Sequence, residues 1–409
     1  MNHSQALSST PQDRCLLAIL QFLKDSGLTE TLTTLQHESH RQHSDPLPGD
    51  ENLLLTALMH FDERRNAFKT KALTDDETRV ETALNALKLT DESVATHEVA
   101  ELTPHASNIT TVKWQPLPTS SLLASGGVDK TVYVTDTERR ETRNAIPLTA
   151  PVLTLDWCRT AGSENLLLAG CMNGDCCLLD IDATPPVRQR VHDHTKYVVG
   201  VKWSPDGRMF ATASHDCTVC IYTYNPTDPA ATDAATLHHR FEYRNPVESL
   251  VWLSDTLLCL SPREDNYLHV VDAVTRTTQQ KVNMNLTGDD HVSFSAMHTA
   301  VSPDRTLVAV ATDQHRLLVL LAGSAVQVRN YWGLQNDGYS TPRVCWSRCG
   351  RYVYVTQQDV SVCCYDVSEG RCAGVLRGHD TNVRDVDCHA YRDELSTCSF
   401  DRTIKLWSS

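Results

Sequence analysis

The chain has no run of about eighteen apolar residues, so the sequence offers no membrane-spanning helix. Its opening, Met1 to Pro11, is polar and lacks the apolar stretch of a secretory signal. Basic runs are scarce. Arg64-Arg65 and Arg139-Arg140 are the clearest, and the net charge is −14. A phosphate-binding surface gathers Lys and Arg, so a direct nucleic-acid ligand is not expected. No phosphate loop, nucleophile elbow or kinase signature occurs. The reading therefore assigns no catalytic, cofactor-binding or metal-ligating residue, and no cofactor. Fifteen cysteines fall mostly in strand-like stretches. Cys176-Cys177 and Cys363-Cys364 are adjacent pairs, which point to opposite faces of a strand and so suit neither a shared metal nor a cross-link. They read as small buried apolar residues of a protein from the cytoplasm or the nucleus.

What the chain does have is a repeat. Short strands with an aromatic end recur as Val112-Lys113-Trp114, Leu155-Asp156-Trp157, Val201-Lys202-Trp203, Leu250-Val251-Trp252 and Val344-Cys345-Trp346. Val301, before Ser302-Pro303-Asp304, and Cys388 take the same place in two weaker copies. The anchors Trp114, Trp157, Trp203, Trp252, Val301, Trp346 and Cys388 are 43, 46, 49, 49, 45 and 42 residues apart. A period in the forties fits four short strands and their turns, and seven copies fit a seven-bladed propeller. Helix-pair solenoids have a similar period. The β-branched run Thr131-Val132-Tyr133-Val134 and the turn pair Asp206-Gly207 disfavour them.

Three copies carry a polar set. It is His105, Ser125, Asp129 and Thr135 in the first; His194, Thr212 or Ser214, Asp216 and Tyr222 in the third; His379, Thr397 or Ser399, Asp401 and Trp407 in the last. A His-Asp-Ser set invites a hydrolase reading. Recurrence at the repeat period favours one buried hydrogen-bond network per blade instead. The triplets Asp289-Asp290-His291 and His192-Asp193-His194 look like ligand clusters but sit in loops at blade starts, where capping is the plainer reading.

The closing segment, with Gly378-His379-Asp380 and Ser399-Phe400-Asp401 through Leu406-Trp407, resembles a WD repeat. The chain is thereby identified as resembling the WD-repeat propellers, in which a sequence unit supplies the outer strand of one blade and three strands of the next. The resemblance implies that the last blade takes its outer strand from elsewhere. Residues 97–102 alternate and are the expected donor. It also implies a partner-binding face built from residues before each first strand and before each turn Asp: Asn108, Val128, Tyr197, His215, Asn382 and Phe400, with Pro151 and Pro246 in degenerate copies. Tyr197, His215 and Phe400 are expected to form an aromatic patch.

Ahead of the repeats, Leu16, Ile19, Leu20 and Leu23 recur at helical spacing, Gly27 ends that helix, and Thr29 caps a second with Leu32 and Leu35. Two helices this short need a partner. Ile19, Phe22-Leu23, Gly27, Leu28, Thr31, Leu35 and Glu38 resemble the LisH motif, with Leu28 and Leu35 where aromatics are usual. The resemblance implies a homodimer through Ile19, Phe22, Leu23, Leu28, Leu32 and Leu35; an ordinary helical hairpin is the alternative. A polar linker follows, then helices over 52–69 and, capped by Thr74, over 75–89. The expected layout is a LisH dimerisation segment, 1–45, a linker with helices, 46–93, and a mainly β, seven-bladed propeller, 94–409. The expected function is a non-catalytic protein-interaction scaffold within a multi-subunit complex. A ubiquitin-ligase substrate receptor and a microtubule- or dynein-associated regulator are the alternatives, since LisH and WD repeats are combined in both.

Overall fold

The computed structural model describes residues 75–90, 93–225, 234–285, 288, 290–336 and 340–409. The dimerisation residues named above, and the helix expected over 52–69, lie outside them. The chain divides into two compact units, Met1–Thr78 and Arg79–Ser409. Among its described residues the second unit holds seven four-stranded antiparallel sheets and most of one helix. Blades 1 to 6 are 109–147, 152–191, 198–242, 247–283, 296–332 and 344–376, each a meander of four consecutive strands. Blade 7 is built from Val383–Cys388, Glu394–Ser399 and Ile404–Ser408, with His97–Leu102 paired to the last of them. The early strand therefore closes the ring, as the alternation in 97–102 implies. The first strands contact one another in the order of the blades, and the seventh meets the first.

The sequence pattern explains this arrangement. Inner strands such as Leu166–Cys171 and Met209–Ser214 are buried along their whole length and are largely apolar, and the polar Thr212 and Ser214 are hydrogen-bonded. Outer strands such as Thr277–Asn283 and His97–Leu102 are mostly exposed, the first mostly polar and the second half polar. The cysteine pairs behave as strand alternation requires. Cys176 packs with Val198 and Trp203 between blades 2 and 3, while Cys177 packs with Leu155 and Ile146 between blades 1 and 2. The fourteen cysteines of the described residues are free, including Cys217 and Cys220, which stand in a CxxC spacing.

Neighbouring first strands are tied by polar bonds around the central channel. Asp385 of blade 7 accepts bonds from Thr111 Oγ1 (2.9 Å), the Val112 amide (3.2 Å) and Lys113 Nζ (2.9 Å) of blade 1. Asp156 of blade 2 accepts from Lys202 Nζ (2.7 Å) and the Trp203 amide (2.9 Å) of blade 3. Burial opposes charge on Asp385, but Lys113 and Arg343 outweigh it and hold the carboxyl at about 2. Trp157, Trp252 and Trp346 donate their indole N–H to the Lys113, Lys202 and Ala300 carbonyls of the preceding blade. This places the aromatic anchors at the inter-blade seams.

The helix α1, Asp75–Lys88, has three acidic residues in its first turn and Lys88 in its last, which suits the helix dipole. Val80, Ala83, Leu84 and Leu87 pack on the apolar seam between blades 5 and 6. The expected face of Val80, Leu84 and Leu87 is thus the one that packs.

Candidate partner-binding face

The same backbone bond recurs in all seven blades and defines one end of the ring. The residue after the second strand, or in blade 6 the last residue of that strand, donates its amide to the carbonyl of the residue before the first. The pairs are Val128 to Asn108 (2.9 Å), Met172 to Pro151 (2.9 Å), His215 to Tyr197 (3.2 Å), Arg263 to Pro246 (2.8 Å), Asp313 to Ser295 (3.1 Å), Thr356 to Arg343 (2.9 Å) and Phe400 to Asn382 (3.2 Å). The residues expected on this face therefore occupy equivalent places. Val128 is exposed, Asn382 is exposed, and Asn108, Tyr197, His215 and Phe400 are half-buried.

The face is sharpened by a bulge one step inside the first strand of every blade but the sixth. The ladder slips between Ile109 and Thr111, Val198 and Gly200, Val247 and Ser249, and Val383 and Asp385. One extra residue is left out of the pairing each time, and a bulge re-aims such a side chain. In blades 4 and 7 that residue is charged: Glu248 and Arg384.

The first cluster runs from blade 3 to blade 4. The Tyr197 and His215 rings lie 4.3 Å apart, and the Tyr197 hydroxyl is 2.7 Å from His215 Nδ1. His215 Nε2 is 3.2 Å from Glu248 Oε1, and Arg263 Nη1 is 3.3 Å from the same carboxylate. The network assigns the protons: the tyrosine donates to Nδ1, and Nε2–H donates to the carboxylate. Burial and Glu248 push the Tyr197 hydroxyl above its usual pKa. The second cluster is in blade 7. The Arg384 guanidinium lies 5.2 Å from the centre of the Phe400 ring and donates to Thr341 Oγ1 at 2.5 Å. Its Nε is buried without a hydrogen bond among the described residues. Burial, aided by neighbouring Arg343, lowers the Arg384 pKa.

The expected single aromatic patch is thus two. Tyr197 and His215 stack on each other, whereas Phe400 belongs to a blade that is not adjacent and pairs with Arg384. A patch of three rings would need loops from neighbouring blades, and blades 3 and 7 are not neighbours. Glu248, Arg263 and Arg384 were absent from the sequence reading. A signal for two of them existed: the bulge residue stands four places before the anchor, as Thr110 does before Trp114, Glu248 before Trp252 and Arg384 before Cys388.

The histidine sets are internal to their blades. In blade 7, Trp407 Nε1–H donates to Thr397 Oγ1 (2.9 Å), that hydroxyl pairs with His379 Nε2 (2.8 Å), and His379 Nδ1 pairs with Asp401 (2.7 Å). In blade 3, His194 joins Thr212 (2.7 Å) and Asp216 (3.1 Å), while Tyr222 turns away to Asp193 (2.9 Å). In blade 1, His105 joins Ser125 (2.9 Å) and Asp129 (2.9 Å), and Thr135 Oγ1 stands buried without a partner among the described residues. The alternatives Ser214 and Ser399 instead bind the loops ahead of their blades, through the Lys196 and Thr381 carbonyls. Burial is the largest cause holding all three histidines below their ordinary pKa, against the pull of the Asp partners. A neutral imidazole that donates to Asp and accepts from a hydroxyl fits these distances.

His192, Asp193 and His194 disperse: His192 pairs with Asp175, Asp193 with Tyr222, and His194 with Asp216. Among the described residues, no group of three or more His, Cys, Asp and Glu is gathered to hold a metal.

Three stretches, 96–136, 186–223 and 370–408, match the family described as WD domain, G-beta repeat. They hold all four positions of the polar set in blades 1, 3 and 7. The chain carries WD40 repeats and folds as a seven-bladed β-propeller. No curated protein matches the chain. Among the described residues, no helix is long and apolar enough to cross a membrane.

Proposed function

We propose that this protein is a non-catalytic interaction scaffold that binds a partner protein on the face defined by the seven repeated backbone bonds, dimerises through its LisH-like N-terminal segment, and works in the cytoplasm or the nucleus. WD40 propellers are commonly protein-interaction scaffolds, and the three matched repeats bring the chain under that description. The observation that carries the reading is the pair of half-buried aromatic and charged clusters, Tyr197–His215–Glu248–Arg263 and Arg384–Phe400. Aromatic and arginine side chains held rigidly at a surface give up little entropy when a partner covers them, which is the composition of interface hot spots. The His–Asp sets support the non-catalytic part. Their imidazoles are at most 2% exposed, and their nitrogens are satisfied within the blade.

The test is affinity purification of the full chain, of its Tyr197→Ala and Phe400→Ala variants, and of the chain without residues 1–45, with molar mass measured by light scattering. The reading expects each variant to lose a shared set of proteins while keeping its melting temperature. It expects loss of residues 1–45 to halve the mass. Unchanged capture by both variants contradicts the face, and an unchanged mass contradicts the dimer.

A further inference from the structure

The opposite end of the channel carries an arrangement that the partner-binding face does not explain. A cavity of about 210 Å³ opens where the first strands end, walled by Trp203, Trp252 and Trp346 and by the prolines Pro205 and Pro303. Five cations line it. Three are answered: Lys202 by Asp156 at 2.7 Å, Lys113 by Asp385 at 2.9 Å, and Arg348 by Asp393 at 3.0 Å. The other two are Arg159, from the loop after the first strand of blade 2, and Arg305, from the corresponding loop of blade 5. Neither side chain makes a hydrogen bond or ion pair among the described residues. They are near enough for Arg159 to depress Arg305. Burial is the larger cause of that shift, and Asp255 opposes both. Two like charges brought together at the mouth of a partly enclosed cavity repel, and an anion between them would remove the repulsion.

The backbone at Arg305 is the second, independent observation. Blades 3, 5 and 6 make the same turn here: Ser204, Ser302 and Ser347 use their hydroxyl to hold the amide five residues on. In blades 3 and 6 the left-handed position of that turn is glycine, Gly207 (φ 67°) and Gly350 (φ 78°). In blade 5 it is Arg305, at φ 60°. A side chain in this conformation is disfavoured relative to glycine; Arg140, Arg276 and Arg402 also adopt it, in turns between consecutive strands, whereas Arg305 does so at the cavity mouth.

We propose that this mouth is a binding site for a small, multiply charged phosphate anion, held by the Arg159 and Arg305 guanidinium groups. A guanidinium fork matches phosphate oxygens in pairs, and the indole walls keep the local dielectric low. The volume suits a chain of two or three phosphates and is too small for a folded segment of protein. This site is independent of the partner-binding face, which lies at the other end of the channel.

The test is isothermal titration of the full chain with sodium tripolyphosphate at physiological salt, alongside Arg159→Gln, Arg305→Gly and Arg208→Gln, with melting temperatures recorded without ligand. Arg208 is the control, since it lies in the equivalent blade 3 turn with its side chain 84% exposed. The expected result is one site per chain, weakened about tenfold or more by Arg159→Gln and by Arg305→Gly and unchanged by Arg208→Gln. Arg305→Gly should also melt no lower than the parent, because glycine suits the turn. No binding by the parent, or parent-like binding by a folded Arg305→Gly, overturns the proposal. A glutamate-rich peptide that binds as tightly as tripolyphosphate and is lost in the same two variants also overturns it, in favour of an acidic protein ligand.

Discussion

Asp401 shows how much one side chain organises. It takes bonds from His379 Nδ1 (2.7 Å), the Asp380 amide (3.1 Å), the Thr403 amide (2.9 Å) and the Thr403 hydroxyl (2.7 Å). Asp401→Ala should destabilise the protein by about 1–3 kcal/mol, because it strands buried donors. Denaturant unfolding measures this, and an unchanged midpoint would refute the structural role. The histidines set a pH dependence. Their folded pKa values lie below the ordinary 6.5, so the unfolded chain binds protons more readily than the folded one. Stability is therefore full above about pH 6.5 and falls as the pH drops below it. Asp216 and Asp401 also sit below their ordinary value, which extends the loss to lower pH. Melting temperatures across pH 7.5 to 5 should decline, and the slope should shrink in His379→Gln; a flat profile would contradict the neutral, buried assignment. These sets were legible because they recur at a fixed spacing. Glu248 and Arg384 were not read, although they keep the constant distance of a bulge residue from its anchor, because a lone charge beside apolar residues resembles any solvated position.

At the scale of elements, the closing strand separates two contributions. Lys405 Nζ reaches Glu98 (2.9 Å) and Glu101 (2.7 Å), but these carboxylates are 36% and 45% exposed. Pairs of that kind contribute roughly 0–1 kcal/mol each. Leu102 is buried with Ile109, Val112 and Ile404 across the closure seam. Its truncation should cost about 2–5 kcal/mol. Leu102→Ala should therefore destabilise far more than the Glu98→Gln, Glu101→Gln double variant, and the reverse order of melting temperatures would overturn this account of closure. The strand at 97–102 was legible from its alternation and from the strand the last blade lacks. Helix α1 was legible from its acidic first turn and its apolar face. The weakly marked blades were harder to read. Blade 5 has Val301 as its anchor, and its Ala296–Val301 strand keeps the register, the bulge and the face bond of its neighbours with no His–Asp set. The sheet ladder and the apolar seam are enough to shape a blade, so degenerate blades lose their sequence signature before they lose their geometry.

For the whole molecule, ring closure gives the propeller two unlike ends. One is the face of seven equivalent loop pairs, where the first strands begin. The other is the cavity mouth where they end. The number of blades was legible because seven anchors recur at nearly even spacing. The split of the aromatic patch was not, since sequence order does not reveal which loops face each other across a ring. The central claim is that partner recognition belongs to the first end. Hydrogen–deuterium exchange of the protein, free and bound to a partner recovered by affinity purification, tests this most directly. The account predicts protection on binding in the loops around 195–199, 213–217, 245–248, 382–384 and 399–402. Protection confined to the opposite mouth, around 158–164, 204–208 and 302–306, would contradict it.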